Sequence, residues 1–302
     1  MIIKDSLELI GNTPMLKAKS LKEKGSADIY VKLEKFSLTG SVKDRALLNM
    51  ILQMEERGEL KRGDIIVEST SGNTGIAMAA VCQKKGYKAI IVMPDSMSKE
   101  RRDLISAYGA ELVLTKGVEG MQGAVNRAEE MVAQKGYKML GQFDNKDNYM
   151  AHYYTTAEEI FADLPSIDAF VAGIGTGGTI SGTGKRLKEL SPKIEIVGVE
   201  PTESAIIEGG KPAPHGIQGI GANFIPINYK SEFVDVVENV TAEESSKYTK
   251  RFAEEESVLL GISSGASIAV AVRVARRLGE GKSVVVVAPD GGEKYISMNL
   301  FK

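Results

Sequence analysis

Short apolar runs alternate with longer amphipathic stretches along most of this 302-residue chain. The apolar runs are rich in β-branched residues and lie at 29–33, 65–68, 89–93, 112–114, 169–172, 196–199 and 284–288. Several are apolar on successive residues, which is typical of strands covered by helices on both faces. Helical periodicity occupies residues 42–57, 75–85, 99–108, 121–135, 148–162, 179–190, 242–255 and 265–278. This order predicts an α/β fold whose parallel strands are joined by right-handed crossovers.

The length of the chain predicts two domains, because a single core rarely grows beyond about 250–300 residues. We expect each domain to be an open, mostly parallel sheet flanked by helices. No Ser- or Gly-rich linker marks the boundary, and the polar stretch at 144–148 is the crossing point that we expect. We therefore predict an N-terminal domain over residues 41–145 and a larger domain made of residues 1–40 plus 146–302.

The charge balance argues against nucleic acid and anionic membranes as partners. The chain has 38 Lys and Arg residues against 40 Asp and Glu residues, and its formal charge is −2. A nucleic acid or an anionic membrane needs a concentrated basic face, and no run of like charges supplies one. No apolar stretch reaches 18 residues, and the first residues contain no long apolar segment. We expect a cytoplasmic protein.

Cysteine and histidine are scarce. Cys82 is the single cysteine, which excludes an intramolecular disulfide and a cysteine-based metal cluster. Two histidines, His152 and His215, are too few for a typical catalytic zinc site. We expect no metal, and we expect Cys82 to be a small core residue because it lies in an apolar helical run.

Residues 175–179 (GTGGT) join an expected buried strand to a helix. Glycine lets the backbone approach a ligand closely, and a helix N-terminus offers unpaired N–H groups to a phosphate. No lysine follows Gly178 in the Walker pattern, and the spacing is not that of a dinucleotide fingerprint. ATP and NAD are therefore disfavoured, and close helix packing without a ligand is the alternative.

Residues 70–75 (TSGNTG) follow another expected strand and also open a helix. Their hydroxyl, amide and N–H groups are neutral donors, which suit a carboxylate at a helix start. A helix N-cap cluster is the alternative reading of this loop.

Lys43 follows Gly40, Ser41 and Val42 at the start of an amphipathic helix. Desolvation there would favour its neutral amine, which an imine-forming nucleophile needs; a solvated lysine is the alternative. Ser263 opens a later helix, either as an N-cap or as a partner of a pyridine nitrogen. A hydroxyl partner leaves the ring a weaker electron sink and favours β-elimination over transamination. Together these features predict pyridoxal phosphate bound to Lys43 as a Schiff base.

The chain resembles the cysteine synthase (O-acetylserine sulfhydrylase) family of fold-type II pyridoxal phosphate enzymes, whose fold is like that of the tryptophan synthase β chain. The resemblance spans nearly the whole chain. It is carried in order by residues 9–14 (LIGNTP), 32–34 (KLE), 41–45 (SVKDR), 70–75 (TSGNTG), 142–143 (QF), 175–179 (GTGGT), 217–222 (IQGIGA), 261–265 (GISSG) and 289–293 (PDGGE). The stretch at 217–222 is more similar to cysteine synthases than to cystathionine β-synthases.

The resemblance implies a role for each residue that matches these motifs. Lys43 is implied as the Schiff-base lysine and as the acid and base of the reaction. The implied cofactor-binding residues are Lys43, Asn73 (on the 3′-oxygen), Gly175, Thr176, Gly177, Gly178 and Thr179 (on the phosphate) and Ser263 (at the pyridine nitrogen). The implied substrate-binding residues are Thr70, Ser71, Gly72, Asn73, Thr74 and Gln142.

The implied reaction forms L-cysteine from O-acetyl-L-serine and sulfide through an α-aminoacrylate. The alternative uses L-cysteine or L-serine as donor, releases hydrogen sulfide or water, and forms serine, lanthionine or cystathionine. A homodimer is implied, and so is docking of the C-terminal tail of serine acetyltransferase in the active site, either beside catalysis or in a non-catalytic partner protein. A Rossmann dehydrogenase is the fold-level alternative, but its glycine spacing is missing.

The chain departs from the family pattern in three places. Ser37-Leu38 stands where Asn-Pro is common, residues 145–149 lack the usual Asn-Pro repeat, and Asn223 replaces a glycine after Ala222. In the family this last segment borders the mouth of the active site, so Ala222 and Asn223 are candidate specificity residues that affect which nucleophile enters. The alternative is a tolerated loop change, since asparagine accepts positive φ.

Overall fold

The computed structural model describes residues 2–298, 300 and 301. Its strands are β1 Met15–Lys17, β2 Asp28–Leu33, β3 Ile65–Ser69, β4 Lys88–Pro94, β5 Glu111–Thr115, β6 Ala169–Gly173, β7 Glu195–Pro201, β8 Val236–Val240 and β9 Ser283–Ala288. Its α-helices are α1 Lys43–Glu56, α2 Asn73–Lys85, α3 Lys99–Ala107, α4 Gly120–Lys135, α5 Asp147–Ala151, α6 Ala157–Asp163, α7 Gly178–Leu190, α8 Ala242–Glu256 and α9 Ile262–Leu278. A π-helical turn, His152–Thr156, joins α5 to α6.

Each predicted strand and helix coincides with an observed element, and the α/β class is confirmed. Two edge strands, β1 and β8, were not predicted. One continuous helix was expected over residues 148–162. The structure has three consecutive elements there: α5, the π-helical turn and α6. Two other helices begin two or more residues earlier than expected, α2 at Asn73 and α9 at Ile262.

The larger sheet has six strands in the order β1-β2-β9-β6-β7-β8, and only β1 runs antiparallel to its neighbour. Successive residues of its central strands enter different cores. Val284 and Val286 of β9 pack in the core that contains α9, whereas Val285 and Val287 pack with Ile180 of α7. Helices on both faces therefore explain the continuous apolar runs.

The smaller sheet is parallel, with the order β3-β4-β5. Ile66 and Ile91 face a core formed with α1 and α2, while Val67 and Val92 face α4. All three strands fall within residues 65–115, inside the range expected for the N-terminal domain. The domain limits at residues 41 and 145 stay a prediction.

The carboxyl ends of β3, β6 and β9 lead into residues 70–72, 174–177 and 289–290. A hydrogen bond between Asn73 of α2 and Asp290 after β9 joins the loops of the two sheets. Within the described residues no helix is long and apolar enough to cross a bilayer, and no group of three His, Cys, Asp or Glu side chains could hold a metal ion. Cys82 is a buried core residue of α2, as expected, and burial raises the pKa of its thiol to about 12.

Candidate active site

Lys43 is the first residue of α1 and lines a solvent-open cleft of about 380 Å³. The backbone N–H of Val42 donates a 2.8 Å hydrogen bond to the carbonyl of Pro289, which fixes the chain as it enters the helix. Desolvation lowers the pKa of the Lys43 amine, and the nearby carboxylate of Asp290 opposes this shift. Burial therefore favours the neutral amine that a nucleophile needs.

The glycine loop forms another wall of the same cleft, where Gly175, Thr176, Gly177 and Thr179 line it. Gly177 has a φ of +84°, in the left-handed region that favours glycine. A Cβ atom at Gly175 would overlap the carbonyl oxygen of Gly219. Gly178 opens α7, so the unpaired N–H groups of that helix start lie beside the cleft.

Residues 70–72 form the turn between β3 and α2, and Asn73 and Thr74 are the first residues of that helix. The Thr74 hydroxyl donates a 2.7 Å hydrogen bond to Oε1 of Gln142, although the two residues are 68 positions apart. The turn also meets α3, because Arg101 donates a 3.3 Å bond to the carbonyl of Ser71. The structure thus brings together the predicted carboxylate-binding loop and Gln142.

Glu68, at the end of β3, holds Gln142 in place. Its carboxylate accepts hydrogen bonds of 3.2 to 3.3 Å from the backbone N–H groups of Leu140, Gly141 and Gln142. Burial raises the pKa of Glu68 to about 7, although these three donors favour its charged form. Sequence reasoning missed this residue, which looked like an ordinary strand-end glutamate.

Asn73 lies in a partly buried polar cluster that sequence reasoning also missed. Its Nδ2 donates to Oδ2 of Asp290 at 2.7 Å, and its Oδ1 accepts from Nζ of Lys294 at 2.9 Å. The hydroxyl of Tyr295 donates to the same Asp290 oxygen at 2.8 Å. The sequence signals for Asp290 were its position directly after Pro289 at the end of a buried strand and the match of residues 289–293 to a family motif.

Ser263 is buried in the first turn of α9. Gly219 lines the Lys43 cleft, and a Cβ atom built on Gly219 would lie 3.3 Å from Oγ of Ser263. Ser263 therefore borders the cleft on the side of the 217–222 loop.

Ala222 and Asn223 do not line the cleft of Lys43. They line an adjoining cavity, open to solvent, that shares Gly175 with that cleft. Asn223 has a φ of +64°, and its Oδ1 accepts a 2.7 Å hydrogen bond from Ser204. Asparagine tolerates this left-handed conformation, which explains how Asn223 can stand where the family has glycine.

His152 lies behind the glycine loop and was not predicted as a site residue. Its Nδ1 lies 2.9 Å from the Thr156 hydroxyl, and its Nε2 lies 3.4 Å from the Thr179 hydroxyl. Burial, assisted by the positive charge of Arg45, lowers the pKa of His152 to about 3. A neutral imidazole therefore supports the loop, in a π-turn of the kind often found at functional sites.

These residues fit pyridoxal phosphate. The loop that excludes side chains at Gly175 and Gly177 offers N–H groups to a phosphate, and the desolvated Lys43 amine suits an aldehyde. Ser263 borders the same cleft and offers a neutral hydroxyl.

Comparison with known proteins supports this fit. Residues 7–290 match the family described as pyridoxal-phosphate dependent enzyme. A cysteine synthase of Staphylococcus aureus is 49% identical over 296 residues, which are 97% of this chain and 96% of that protein. The crystal structure of a cysteine synthase from Entamoeba histolytica has a TM-score of 0.96 and 42% identity, covering 100% of this chain and 91% of that one. A hydrogen sulfide-producing enzyme from Fusobacterium nucleatum has a TM-score of 0.92 and 40% identity, covering 97% of this chain and 100% of that one.

These matches confirm the resemblance read from the sequence and the cofactor that it implies. Identity of this extent over nearly the full length of both chains leaves the fold-level alternative of a dehydrogenase without support. The chain belongs to the cysteine synthase family of pyridoxal-phosphate dependent enzymes.

Proposed function

We propose that this protein forms L-cysteine and acetate from O-acetyl-L-serine and sulfide. The observation that carries the proposal is the position of Lys43, whose amine of lowered pKa lines the same cleft as the glycine loop. The cysteine synthase of Staphylococcus aureus carries the name of this activity and matches almost the whole chain.

When bound, the cofactor withdraws electrons from the α-carbon of the substrate and makes its proton acidic. The Nζ of Lys43 accepts that proton and later returns a proton to the same carbon. The amine must be neutral to accept a proton, and desolvation in the cleft favours that form. Acetate leaves the β-carbon, and sulfide forms the new C–S bond there.

The loop at 70–74 and Gln142 bind the substrate carboxylate in this proposal. Gln142 is fixed through its side chain by Thr74 and through its backbone by Glu68. A carboxylate held by donors that are already in place keeps the α-proton within reach of Lys43. Ser263 offers a neutral partner to the ring nitrogen, which supports β-substitution over transamination.

A second candidate uses L-cysteine as the donor and releases hydrogen sulfide. The similarity to the hydrogen sulfide-producing enzyme of Fusobacterium nucleatum favours it, since both reactions can share the same residues. Lys43 would move the same protons, and only the leaving group and the nucleophile would differ.

The test of the proposed function begins with the purified protein, which we expect to be yellow with an absorbance band near about 410 nm. The Lys43→Ala variant is expected to lose this band, whereas Lys282→Ala, at an exposed surface ion pair, is expected to keep it. A colourless native protein that takes up no added pyridoxal phosphate would contradict the proposal.

The donor is then identified by offering O-acetylserine, serine and cysteine separately, with and without sulfide. The proposed function predicts the fastest turnover with O-acetylserine and sulfide, with equal amounts of cysteine and acetate formed. Turnover of cysteine alone, with release of hydrogen sulfide, would replace the first candidate by the second.

We further propose a homodimer in the cytoplasm, with the larger and smaller sheets in domains bounded near residues 41 and 145. The exposed apolar side chains of Phe224, Ile225 and Ile227 support an apolar contact with a partner subunit. We also propose that the active site can dock the C-terminal tail of a serine acetyltransferase. Light scattering after size exclusion tests the dimer, and limited proteolysis tests the domain limits. Cell fractionation tests the cytoplasmic location. Titration of the protein with a peptide of the serine acetyltransferase tail tests docking.

A further inference from the structure

The carboxamide of Asn73 is held at both of its ends. Its Nδ2 donates to the carboxylate of Asp290 at 2.7 Å, and its Oδ1 accepts from the ammonium of Lys294 at 2.9 Å. A lysine ammonium only donates, and an ionised carboxylate only accepts. The flipped carboxamide would place N–H against ammonium and carbonyl against carboxylate. Only one orientation of Asn73 therefore satisfies both partners.

Both partners are themselves anchored. Asp290 is 1% exposed, and its Oδ2 also accepts the hydroxyl of Tyr295. Lys294 donates a second hydrogen bond, 2.9 Å long, to the carbonyl of Thr39. The cluster thus joins the start of α2 to the end of β9 and to the turn that precedes Lys43.

One N–H of Asn73 has no protein acceptor within residues 2–298, 300 and 301. A carboxamide has two N–H donors, and only the hydrogen bond to Asp290 uses Nδ2. We propose that Asp290 and Lys294 are positioning residues, which orient Asn73 so that its second N–H serves the ring oxygen of the cofactor. The inference rests on the proposed function, because that proposal assigns Asn73 to this oxygen.

A purely structural role for Lys294 makes a different prediction. If Lys294 acts through Asn73, its replacement matters only while Asn73 is present. If Lys294 merely stabilises the turn at Thr39, its replacement has the same effect in either background. A double-mutant cycle separates these two cases, because coupled residues give effects that do not add.

The cycle uses the full-length apoprotein of the wild type, Lys294→Met, Asn73→Ala and the double variant. Each protein is titrated with pyridoxal phosphate. We measure the Kd for the cofactor and the ratio of its near-ultraviolet absorbance band to its visible absorbance band. Lys294→Met loses the charge-assisted hydrogen bond to Asn73. We therefore expect its Kd for pyridoxal phosphate to be about 10-fold higher, with a changed ratio of the two absorbance bands. In the Asn73→Ala background we expect Lys294→Met to change the Kd less than about twofold.

Two further variants make the cycle sharper. Lys294→Gln keeps an N–H donor and is expected to restore part of the affinity, while Lys282→Met controls for the loss of a lysine charge. Equal effects of Lys294→Met in both backgrounds would overturn the positioning role. Failure of the wild type to bind the cofactor would instead overturn the proposed function, so the two failures are distinguishable.

Discussion

Arg45 and Glu34 form a buried bidentate salt bridge. Nε of Arg45 lies 2.7 Å from Oε2 of Glu34, and Nη2 of Arg45 lies 2.9 Å from Oε1 of Glu34. Glu159 accepts from the same guanidinium at 2.6 Å and also lies 2.9 Å from the buried ammonium of Lys32. Because Arg45 lies two residues after Lys43, this network ties the start of α1 to the end of β2 and to α6.

Removal of one partner of this buried pair is expected to destabilise the protein strongly. Arg45→Met leaves Glu34 without its counter-charge, and we expect the free energy of unfolding in urea to fall by about 3–5 kcal/mol. Arg127→Met, at an exposed ion pair with Glu130, is the matched control and is expected to cost less than about 1 kcal/mol. Equal losses for the two variants would contradict the role of the network.

The lowered pKa of His152 predicts a pH dependence of stability. The folded pKa is about 3, whereas a histidine in the unfolded chain titrates near 6.5. Below about pH 6.5 the unfolded chain therefore binds a proton that the folded protein rejects. The His152 contribution to the free energy of unfolding falls as pH drops from about 6.5 to about 3, by up to about 1.4 kcal/mol per unit.

Comparison of variants isolates this contribution, because Glu68, with its pKa raised to about 7, changes stability in the opposite direction over part of the same range. His152→Gln is expected to remove the His152 contribution from urea unfolding curves at pH 7.5 and 5.5. His215→Gln, which keeps His152, is the control variant. A His152→Gln variant with the wild-type pH dependence would show that folding does not lower the pKa of this imidazole.

The Thr74 hydroxyl is expected to matter for the substrate and not for the cofactor. Thr74→Val has nearly the same shape but leaves Oε1 of Gln142 without its 2.7 Å donor. We expect the KM for the amino-acid donor to rise about 10-fold, with the visible absorbance unchanged. Thr115→Val, where the buried hydroxyl has no partner, is the control. A changed cofactor spectrum in Thr74→Val would contradict the assignment of this loop to the substrate.

Glycine at position 175 is expected to be essential for cofactor binding. Gly175→Ala places a methyl group against the carbonyl oxygen of Gly219, so the loop must move. We expect the Kd for pyridoxal phosphate to rise at least about 10-fold, as measured by absorbance titration. Gly72→Ala meets no atom within 4 Å and is expected to retain cofactor affinity. Similar affinities for both variants would argue against a phosphate in the loop at 175–179.

Asn223 offers a test of nucleophile choice. Its carboxamide lines the cavity that adjoins the cleft at Gly175, and glycine at this position keeps the left-handed backbone. We expect Asn223→Gly to change the relative rates with sulfide, cysteine and water. An unchanged ratio of these rates would show that the Asn223 side chain does not affect nucleophile choice. Its tolerance of the left-handed backbone would then be the explanation for asparagine at this position.

The buried strands were predictable because both of their faces are covered, so their apolar residues run without a break. The edge strands β1 and β8 were not, since β1 has only three residues and β8 is partly exposed and contains Glu238 and Asn239. The start of α9 was placed too late because Ile262 follows Gly261 directly, and the apolar period becomes clear only after Gly265.

The loops of the site were predictable because glycine and hydroxyl residues follow buried strands at 70–75 and 175–179. The partners of these loops were not. Asp290 contacts Asn73 across 217 positions, and Lys294 contacts it across 221. Such pairs depend on the order of strands in two separate sheets, which the periodicity of one chain does not encode.

Pairing of β2 with β9 sets an order for folding during synthesis. The smaller sheet can form once α4 has left the ribosome, because its strands span only residues 65–115 and α4, which covers one of its faces, ends at Lys135. The centre of the larger sheet must wait for Ser283–Ala288, nearly the last segment to be made. Lys43 is among the early residues, yet Pro289 and Asp290, which fix its surroundings, arrive at the end. We expect a chain that stalls before this point to have a folded small sheet and an exposed apolar β2, and such chains are prone to aggregate.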